Sequence, residues 1–307
     1  MCTSPIQGWR AKFVNRETGK RPIVFNRKHG FSDLPVKVPC GRCWQCRLEH
    51  SRQWAIRCVH ESQMHEHNAF ITLTFNEEHL PDDHSIRKEH LQKFFKRLRK
   101  HLGVDIRYFA CGEYGKQNNR PHYHAIIFGY DFPDKYLFSK SRNGDLYFRS
   151  PTLEKAWKFG HSVIGNMTFE SAAYVARYVM KKRKGDQEEV DEYYKLLDTE
   201  TGEVHQLEPE FCLMSRRPGI GKTWLEKFRT DTDKDFITIR GQKMPLPKYY
   251  DNLLEQLGED LQDRKLKRMK SVNKDDQTLA RGRVKDKVLR AKTLNLHRNL
   301  EDLIHET

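Results

Sequence analysis

The chain has 307 residues, which is enough for one well-filled hydrophobic core with additional segments around it. It carries 56 Lys or Arg against 42 Asp or Glu, for a net charge of +14, and a field of that sign favours a polyanionic partner. No apolar run approaches the length of about eighteen residues that a membrane span needs, and no hydrophobic segment follows the first residues. We therefore expect neither a membrane protein nor a secreted one.

The amino-terminal segment, residues 1–66, is basic and rich in cysteine, and a helix is predicted from about Trp44. Cys40, Cys43 and Cys46 have C-x₂-C-x₂-C spacing, which can hold structural Zn²⁺ or an iron–sulfur cluster. Candidates for a fourth ligand lie nearby: Cys58, His50 and His60. The same spacing fits reduced thiols buried where a helix begins, so both interpretations stay open. Seven cysteines, an odd number, argue against a disulfide framework.

Residues 67–185 are predicted to form an α+β catalytic unit. A strand over residues 71–75 is followed by an amphipathic helix and a second strand over residues 106–112. The apolar face of the helix carries six residues at near-helical spacing: Ile86, Leu91, Phe94, Phe95, Leu98 and Leu102. Its other face is basic and is either solvated or directed at DNA: Lys93, Lys96, Arg97, Arg99 and Lys100.

A pair of histidines opens the next predicted strand. His122 and His124 are separated by one residue, so on a strand their side chains share one face and Tyr123 takes the other. The turn residues between the two strands predict a hairpin that sets Glu113 across from the histidines. Two neutral imidazoles and one carboxylate can chelate a divalent ion and leave positions open for substrate. A bare H-x-H pair also occurs as structural histidines, but the carboxylate nine residues earlier favours a metal.

Two tyrosines lie on a predicted helix about fifty residues further on. Tyr174 and Tyr178 are four residues apart and therefore share one helical face, and Thr168 is a candidate N-cap. Arg177 and Lys181 each follow a tyrosine by three residues, so each hydroxyl has a cation one turn away. Such a cation favours the phenolate and neutralises charge on an attacked phosphate. Tyrosines at this spacing are also ordinary packing residues, and that alternative stays open.

Together these segments resemble the HUH endonucleases, in particular the replication initiators of small icosahedral single-stranded DNA phages (microviruses, gokushovirus-like). Residues 71–75 look like the first motif of that family, residues 121–124 like its H-hydrophobic-H motif, and residues 174–181 like the two-tyrosine motif of the phage initiators. The resemblance covers roughly residues 69–184. Arg177 stands where the phage pattern often has Lys, and the resemblance therefore places Lys181 with the catalytic groups.

The resemblance implies a mostly antiparallel central sheet flanked by helices, and a rolling-circle replication initiator that nicks and joins single-stranded DNA at an origin. His122, His124 and Glu113 would hold Mg²⁺ or Mn²⁺ as a Lewis acid on the scissile phosphate. Tyr174 and Tyr178 would attack in alternation, forming a 5′-phosphotyrosine and releasing a 3′-hydroxyl. Host replication machinery is the implied further partner, and the host bacterial cytoplasm the implied location.

The rest of the chain is predicted to add charge around this unit. Residues 186–248 are predicted as a charged elaboration with a hairpin near Thr201, and residues 249–307 as a basic, helix-prone tail. Positions 264–307 hold 13 Lys or Arg and 6 Asp or Glu, hence half of the net charge. Five residues are candidates for DNA contacts: Arg177, Lys182, Arg216, Arg217 and Lys222.

Two other functions fit the same residues. A non-catalytic nucleic-acid-binding protein with a structural metal at the histidines predicts that changing both tyrosines to Phe leaves every activity intact. A hydrolytic metal phosphodiesterase that activates water predicts cleavage without any protein–DNA adduct. The sequence alone favours the strand transferase over both.

Overall fold

The computed structural model describes residues 2–17, 19–115, 119–141, 144–181, 187–197, 201–271 and 278–301. The chain divides into two compact units, of which the first comprises Met1–Glu49 with Lys270–Glu301 and the second is mainly His50–Met269. The four segments predicted from the sequence, with boundaries after residues 66, 185 and 248, stay a prediction. No helix among the described residues combines the length and apolar character needed to cross a membrane.

The first unit contains a small antiparallel sheet. Its three strands among the described residues are β1 (Ile6–Ala11), β2 (Ile23–Val24) and β3 (Gly30–Val38), in the order β2-β1-β3. The two helices that contribute residues to this unit are α1 (Trp44–Ser62), which continues into the second unit, and α9 (Leu279–Glu301). The predicted helix start near Trp44 is thus confirmed.

The second unit is built on a seven-stranded sheet, counted over the described residues, in which every pair is antiparallel. Its strands are β4 (Asn68–Phe75), β5 (Arg107–Tyr114), β6 (Pro121–Phe128), β7 (Tyr136–Lys140), β8 (Leu146–Arg149), β9 (Gly160–Asn166) and β12 (Phe211–Met214). The order is β12-β5-β6-β4-β9-β8-β7. The predicted α+β class with a mostly antiparallel sheet is confirmed, and β12 extends this sheet beyond residue 185.

Helices and two hairpins surround this sheet. The helices are α2 (Lys88–Leu102), α3 (Pro151–Ala156), α4 (Phe169–Lys181), α5 (Gln187–Tyr193), α6 (Lys222–Lys227), α7 (Lys248–Gln256) and α8 (Gln262–Lys270). The hairpins are β10 (Lys195–Leu197) with β11 (Val204–Gln206), and β13 (Phe236–Ile239) with β14 (Gln242–Pro245). The hairpin predicted near Thr201 is confirmed, and so is the helical character of the basic tail.

Strict alternation along the central strands separates two layers of the core. On β4, Ile71, Leu73 and Phe75 are buried on one face against α2, with Phe94 and Phe95 among their neighbours. The opposite face is covered by α4 and by part of α1, whose Ala55 and Cys58 pack there with Phe109, Ile126 and Val175. Successive strand residues point to opposite faces, so the sheet separates the α2 layer from the layer that holds the histidines.

The basic face of α2 lies on the α2 side of the sheet, and several of its cations are engaged within the protein. Lys93 forms an ion pair with Glu89, and Arg97 donates to the Ala156 carbonyl. Arg99 contacts both Asp105 and the Ile106 carbonyl. Because this helix packs on the face opposite the histidines, the solvated interpretation of its basic face is favoured over the DNA-facing one.

A buried histidine predicts how stability depends on pH. His60 is 3% exposed, stacks on Trp224 at 3.5 Å between ring centroids and lies 2.9 Å from the Tyr250 hydroxyl. Burial lowers the pKa of His60 to about 3, whereas an unfolded histidine has a pKa of about 6.5. The unfolded chain therefore takes up a proton that the folded chain refuses as the pH falls from about 6.5 toward 3. This difference costs about 2 kcal/mol of unfolding free energy between pH 7 and pH 5.

Urea unfolding of wild type and His60→Gln at the two pH values measures this contribution. The variant should be less stable at pH 7 but should lose about 2 kcal/mol less on acidification. His101→Gln, at an exposed position near the end of α2, is the matched control and should follow wild type. Equal pH dependence of wild type and His60→Gln would contradict the assignment.

Candidate metal centre and its facing tyrosine

The hairpin of β5 and β6 brings three metal-ligating side chains together, as the sequence predicts. Glu113 pairs directly with His122 across the two strands, and Cys111 pairs with His124, so the carboxylate and both imidazoles share one face. Glu113 Oε1 lies 2.7 Å from His122 Nε2 and 2.9 Å from His124 Nε2. The three ligand atoms lie within 4.8 Å of one another.

The hydrogen bonds behind the histidines show that these atoms suit a cation. His122 Nδ1 lies 3.0 Å from the Arg120 carbonyl oxygen, which can only accept, so in the neutral ring the proton sits on Nδ1. His122 Nε2 then presents a lone pair to the Glu113 carboxylate, and two acceptors at 2.7 Å repel unless a positive charge lies between them. A divalent ion about 2.1 Å from each ligand places neighbouring ligand atoms about 3.0 Å apart. The observed spacing fits such an ion.

Burial restricts access to this centre to one side. The side chains of Glu113 and His124 are 1% and 0% exposed, whereas that of His122 is 12% exposed. A carboxylate so deeply buried is costly unless it is paired or bound to a metal. A substrate oxygen can therefore reach an ion at this centre from the His122 side.

The tyrosine helix covers the same face of the sheet. Tyr174 on α4 is buried, its ring centroid lies 5.1 Å from that of His124, and its hydroxyl lies 3.5 Å from Glu113 Oε1. Thr168 caps this helix, since its Oγ1 accepts from the Ser171 backbone N–H at 3.2 Å. The structure therefore brings the first predicted nucleophile within hydrogen-bonding reach of the predicted metal ligand.

The other predicted residues of the tyrosine helix are described only in part. The backbone of Tyr178 continues α4, and four residues after Tyr174 it starts from the same helical face. The side chains of Arg177, Tyr178 and Lys181 lie outside the described part of the chain, as does Lys182 altogether. Their predicted roles stay predictions.

Three candidate DNA contacts lie away from the metal centre. Arg216 and Arg217 are exposed on the loop after β12, at the end of the sheet where Arg107 donates to the Pro218 carbonyl at 2.7 Å. Arg107 and Glu113 are six residues apart on β5, which corresponds to about 20 Å along the strand. Lys222 begins α6 and lies 3.5 Å from Glu226. Any contact of these residues with DNA would be remote from the triad.

Two neighbours of the triad escaped the sequence prediction. Thr72 pairs with His124 across β4 and β6, and its Oγ1 lies 2.9 Å from His124 Nδ1. A partner of this kind fixes the ring orientation of a metal-ligating histidine. Cys212 on β12 faces the same side, and burial together with the Glu113 charge raises its pKa to about 12, so the thiol stays neutral. The alternation of residues 71–75 was the available signal for Thr72.

Removing the Thr72 hydroxyl tests its contribution to metal binding. Thr72→Val keeps the shape of the side chain but leaves His124 Nδ1 without this partner, so we expect Mn²⁺ affinity to fall about 10–100-fold. Calorimetric titration with Mn²⁺ gives the dissociation constants. Thr74→Val is a matched control, because Thr74 lies two residues along the same strand with its hydroxyl 3.5 Å from the His161 carbonyl. Equal affinities in the two variants would remove Thr72 from the site.

The cysteines of the amino-terminal block form a second cluster. Cys40, Cys43 and Cys46 converge as their spacing predicts, and the fourth sulfur beside them belongs to Cys2. The predicted fourth ligands are therefore wrong. Cys58 is buried in the core under α4, His60 bonds Tyr250, and His50 lies beside Trp54. No disulfide joins the seven cysteines, all of which lie among the described residues.

The fold and the triad define a class: an antiparallel α+β unit with a metal-ligating hairpin and a facing helical tyrosine. A sequence profile of the replication-associated protein ORF2 family matches residues 68–183. Replication-associated protein VP4 of Bdellovibrio phage phiMH2K is 32% identical over 74% of this chain and 71% of its own length. Replication-associated protein ORF2 of Spiroplasma virus 4 is 34% identical over 84% of this chain and 82% of its own length.

A third relative, replication-associated protein ORF4 of Chlamydia phage 1, is 34% identical over 50% of this chain and 40% of its own length. No solved structure matches the chain significantly. The chain belongs to the family of replication-associated proteins of small single-stranded DNA phages.

Proposed function

We propose that this protein initiates rolling-circle replication as a metal-dependent endonuclease and strand transferase of single-stranded DNA, acting in the infected bacterial cell. The observation that carries the proposal is the 3.5 Å distance between the Tyr174 hydroxyl and Glu113 Oε1, the oxygen that both histidines share. The family membership and the net charge of +14 support a role on DNA.

The triad would hold Mg²⁺ or Mn²⁺, since a carboxylate and imidazoles suit these ions and the imidazoles favour Mn²⁺. When bound, the ion supplies Lewis-acid polarisation of the scissile phosphate and neutralises its developing charge. His122 and His124 fix the geometry, each through the hydrogen bond at its Nδ1. The 12% exposure of the His122 side chain gives the phosphate its way in.

The reaction itself belongs to the tyrosines. The phenolic oxygen of Tyr174 or Tyr178 forms a bond to phosphorus, the bond from phosphorus to the 3′ oxygen breaks, and that oxygen takes up a proton. One phosphodiester replaces another, so the 3′-hydroxyl can later attack the phosphotyrosine and rejoin the strand. Two phenols on one helical face allow the second to cleave the regenerated origin while the first is still bound to DNA. Lys181, three residues after Tyr178, would favour the phenolate.

End-labelled DNA distinguishes this function from the two alternatives. The protein is incubated with Mn²⁺ and overlapping single-stranded oligonucleotides that tile the viral genome, then denatured and separated by mass. With a 3′-end label we expect labelled DNA at the mass of the protein, because a 5′-phosphotyrosine retains the downstream fragment. With a 5′-end label we expect only a shortened oligonucleotide.

The outcomes assign the function class. Cleavage without labelled protein at either label position would indicate a hydrolytic phosphodiesterase. Binding without any cleavage, unaffected by a chelator, would indicate a non-catalytic binding protein. A labelled protein band that disappears with chelator supports the proposal.

A further inference from the structure

We infer that Cys2, Cys40, Cys43 and Cys46 form a tetrahedral Zn²⁺ site that ties the amino-terminal strand to the start of α1. The site is separate from the triad and does not depend on the function proposed above. Its four sulfur atoms lie within 4.8 Å of one another. All four residues belong to the first unit.

The sulfur spacing is that of a mononuclear thiolate centre. In a tetrahedron with Zn–S distances of about 2.3 Å, neighbouring sulfurs are about 3.8 Å apart. Cys43 Sγ and Cys2 Sγ are 3.8 Å apart. An iron–sulfur cluster places several iron and sulfide atoms between its cysteines and needs them further apart. Tetrahedral coordination by four sulfurs in a compact set therefore favours one Zn²⁺.

Backbone donors surround the sulfurs from outside. Cys40 Sγ accepts from the Cys43 backbone N–H at 3.2 Å and from that of Arg42 at 3.4 Å. Cys2 Sγ accepts from the Cys40 backbone N–H at 3.2 Å, and Cys46 is bonded by that of Gly41. Hydrogen bonds of this kind stabilise thiolates, and thiolates gathered at one point require a cation at their centre.

The position at the beginning of a long helix adds to the fit. Cys43 directly precedes α1, and its carbonyl accepts the first helical bond from the Arg47 backbone N–H at 3.0 Å. Cys46 lies in the first turn, so both sulfurs lie at the positive end of the helix dipole, which favours thiolates. Gly41 has a φ of +69°, a conformation that glycine adopts readily and that turns the C-x-x-C segment.

Sheet register explains why Cys2 completes the set. Ile6 pairs with Val38 where β1 begins and β3 ends, so the chain before Ile6 runs beside the chain after Val38. Cys2 and Cys40 lie a few residues beyond that pair and meet there. On binding, four thiols release their protons and four thiolates ligate one Zn²⁺. The ion would thereby close the open end of this strand pair onto the helix.

Metal analysis and X-ray absorption test this inference on the full chain purified under reducing conditions. We expect about one zinc per chain, and four sulfur neighbours at about 2.3 Å around it. Zinc content should be unchanged in His122→Ala/His124→Ala, which removes the triad, and in Cys58→Ala, a buried thiol outside the cluster. Zinc should fall at least tenfold in Cys40→Ser/Cys43→Ser. In Cys2→Ser the coordination should change to three sulfurs and one lighter atom.

The wild-type protein also answers without variants, since Co²⁺ exchanged into the site should give the visible absorption of tetrahedral thiolate coordination. Absence of zinc from the wild-type protein would overturn the inference. So would zinc that follows the histidines instead of the cysteines, or four sulfur neighbours persisting in Cys2→Ser. An iron absorption spectrum in place of zinc would overturn the choice of metal.

Discussion

Replacing both Tyr174 and Tyr178 with Phe should abolish the covalent protein–DNA adduct, with a loss of cleavage of about 10⁴-fold or more. The phenolic oxygen is the atom that bonds to phosphorus, and Phe removes it while keeping the ring that packs 5.1 Å from His124. Binding of single-stranded DNA should stay within about twofold of wild type, because the charge that attracts the backbone is unchanged. Adduct gels and fluorescence anisotropy measure the two properties.

The individual variants separate the roles of the two tyrosines. If the phenols alternate, Tyr174→Phe and Tyr178→Phe should each still form an adduct but fail to complete the second cleavage of a substrate that contains two origins. Tyr136→Phe, at an exposed position on the edge strand β7, is the matched control and should behave as wild type. An adduct that survives in the double variant would refute tyrosine chemistry.

Replacing His122 and His124 with Ala should lower cleavage about a thousandfold, since Lewis-acid stabilisation of a phosphoryl transition state contributes several kcal/mol. The loss should not be rescued by raising Mn²⁺, because the chelate itself is gone. His101→Ala, at an exposed position near the end of α2, controls for the loss of a histidine as such. Single-turnover rates over a Mn²⁺ titration measure the effect.

Thermal unfolding gives a readout of the same centre that needs no DNA. Mn²⁺ at about 100 times its dissociation constant should stabilise the wild-type protein by about 2.7 kcal/mol, which corresponds to a rise in Tm of about 5–10 °C. Glu113→Gln should lose most of this rise, because an amide oxygen lacks the negative charge that binds the ion. An equal rise in Tm for wild type and the double-histidine variant would show that the ion binds elsewhere.

The zinc inference places a second, different metal in the same chain. The triad offers nitrogen and oxygen atoms with positions left open for substrate, whereas four thiolates complete a tetrahedron and leave none. Soft thiolates retain Zn²⁺ while the harder triad selects Mg²⁺ or Mn²⁺. The two sites can therefore be loaded independently, and a chelator weak enough to strip only the triad should stop cleavage without removing zinc.

The sequence by itself determined the features that depend on short-range periodicity. Alternation on a strand put His122 and His124 on one face, and a short turn fixed which residue of the preceding strand would meet them, so Glu113 was predictable. Helical spacing likewise placed Tyr174 and Tyr178 on one face of α4. Each of these contacts joins residues within one element or one hairpin, where local geometry leaves few alternatives.

Only the tertiary structure decided the features that depend on long-range register. The pairing of Thr72 with His124 spans 52 residues, and the approach of Cys2 to Cys40 spans 38 residues and follows from the pairing of β1 with β3. The loop with Arg216 and Arg217 lies at the end of the sheet opposite Glu113 because β12 pairs antiparallel with β5. Strand order and register over such separations are set by how all the apolar faces are buried together, and no local pattern encodes that choice.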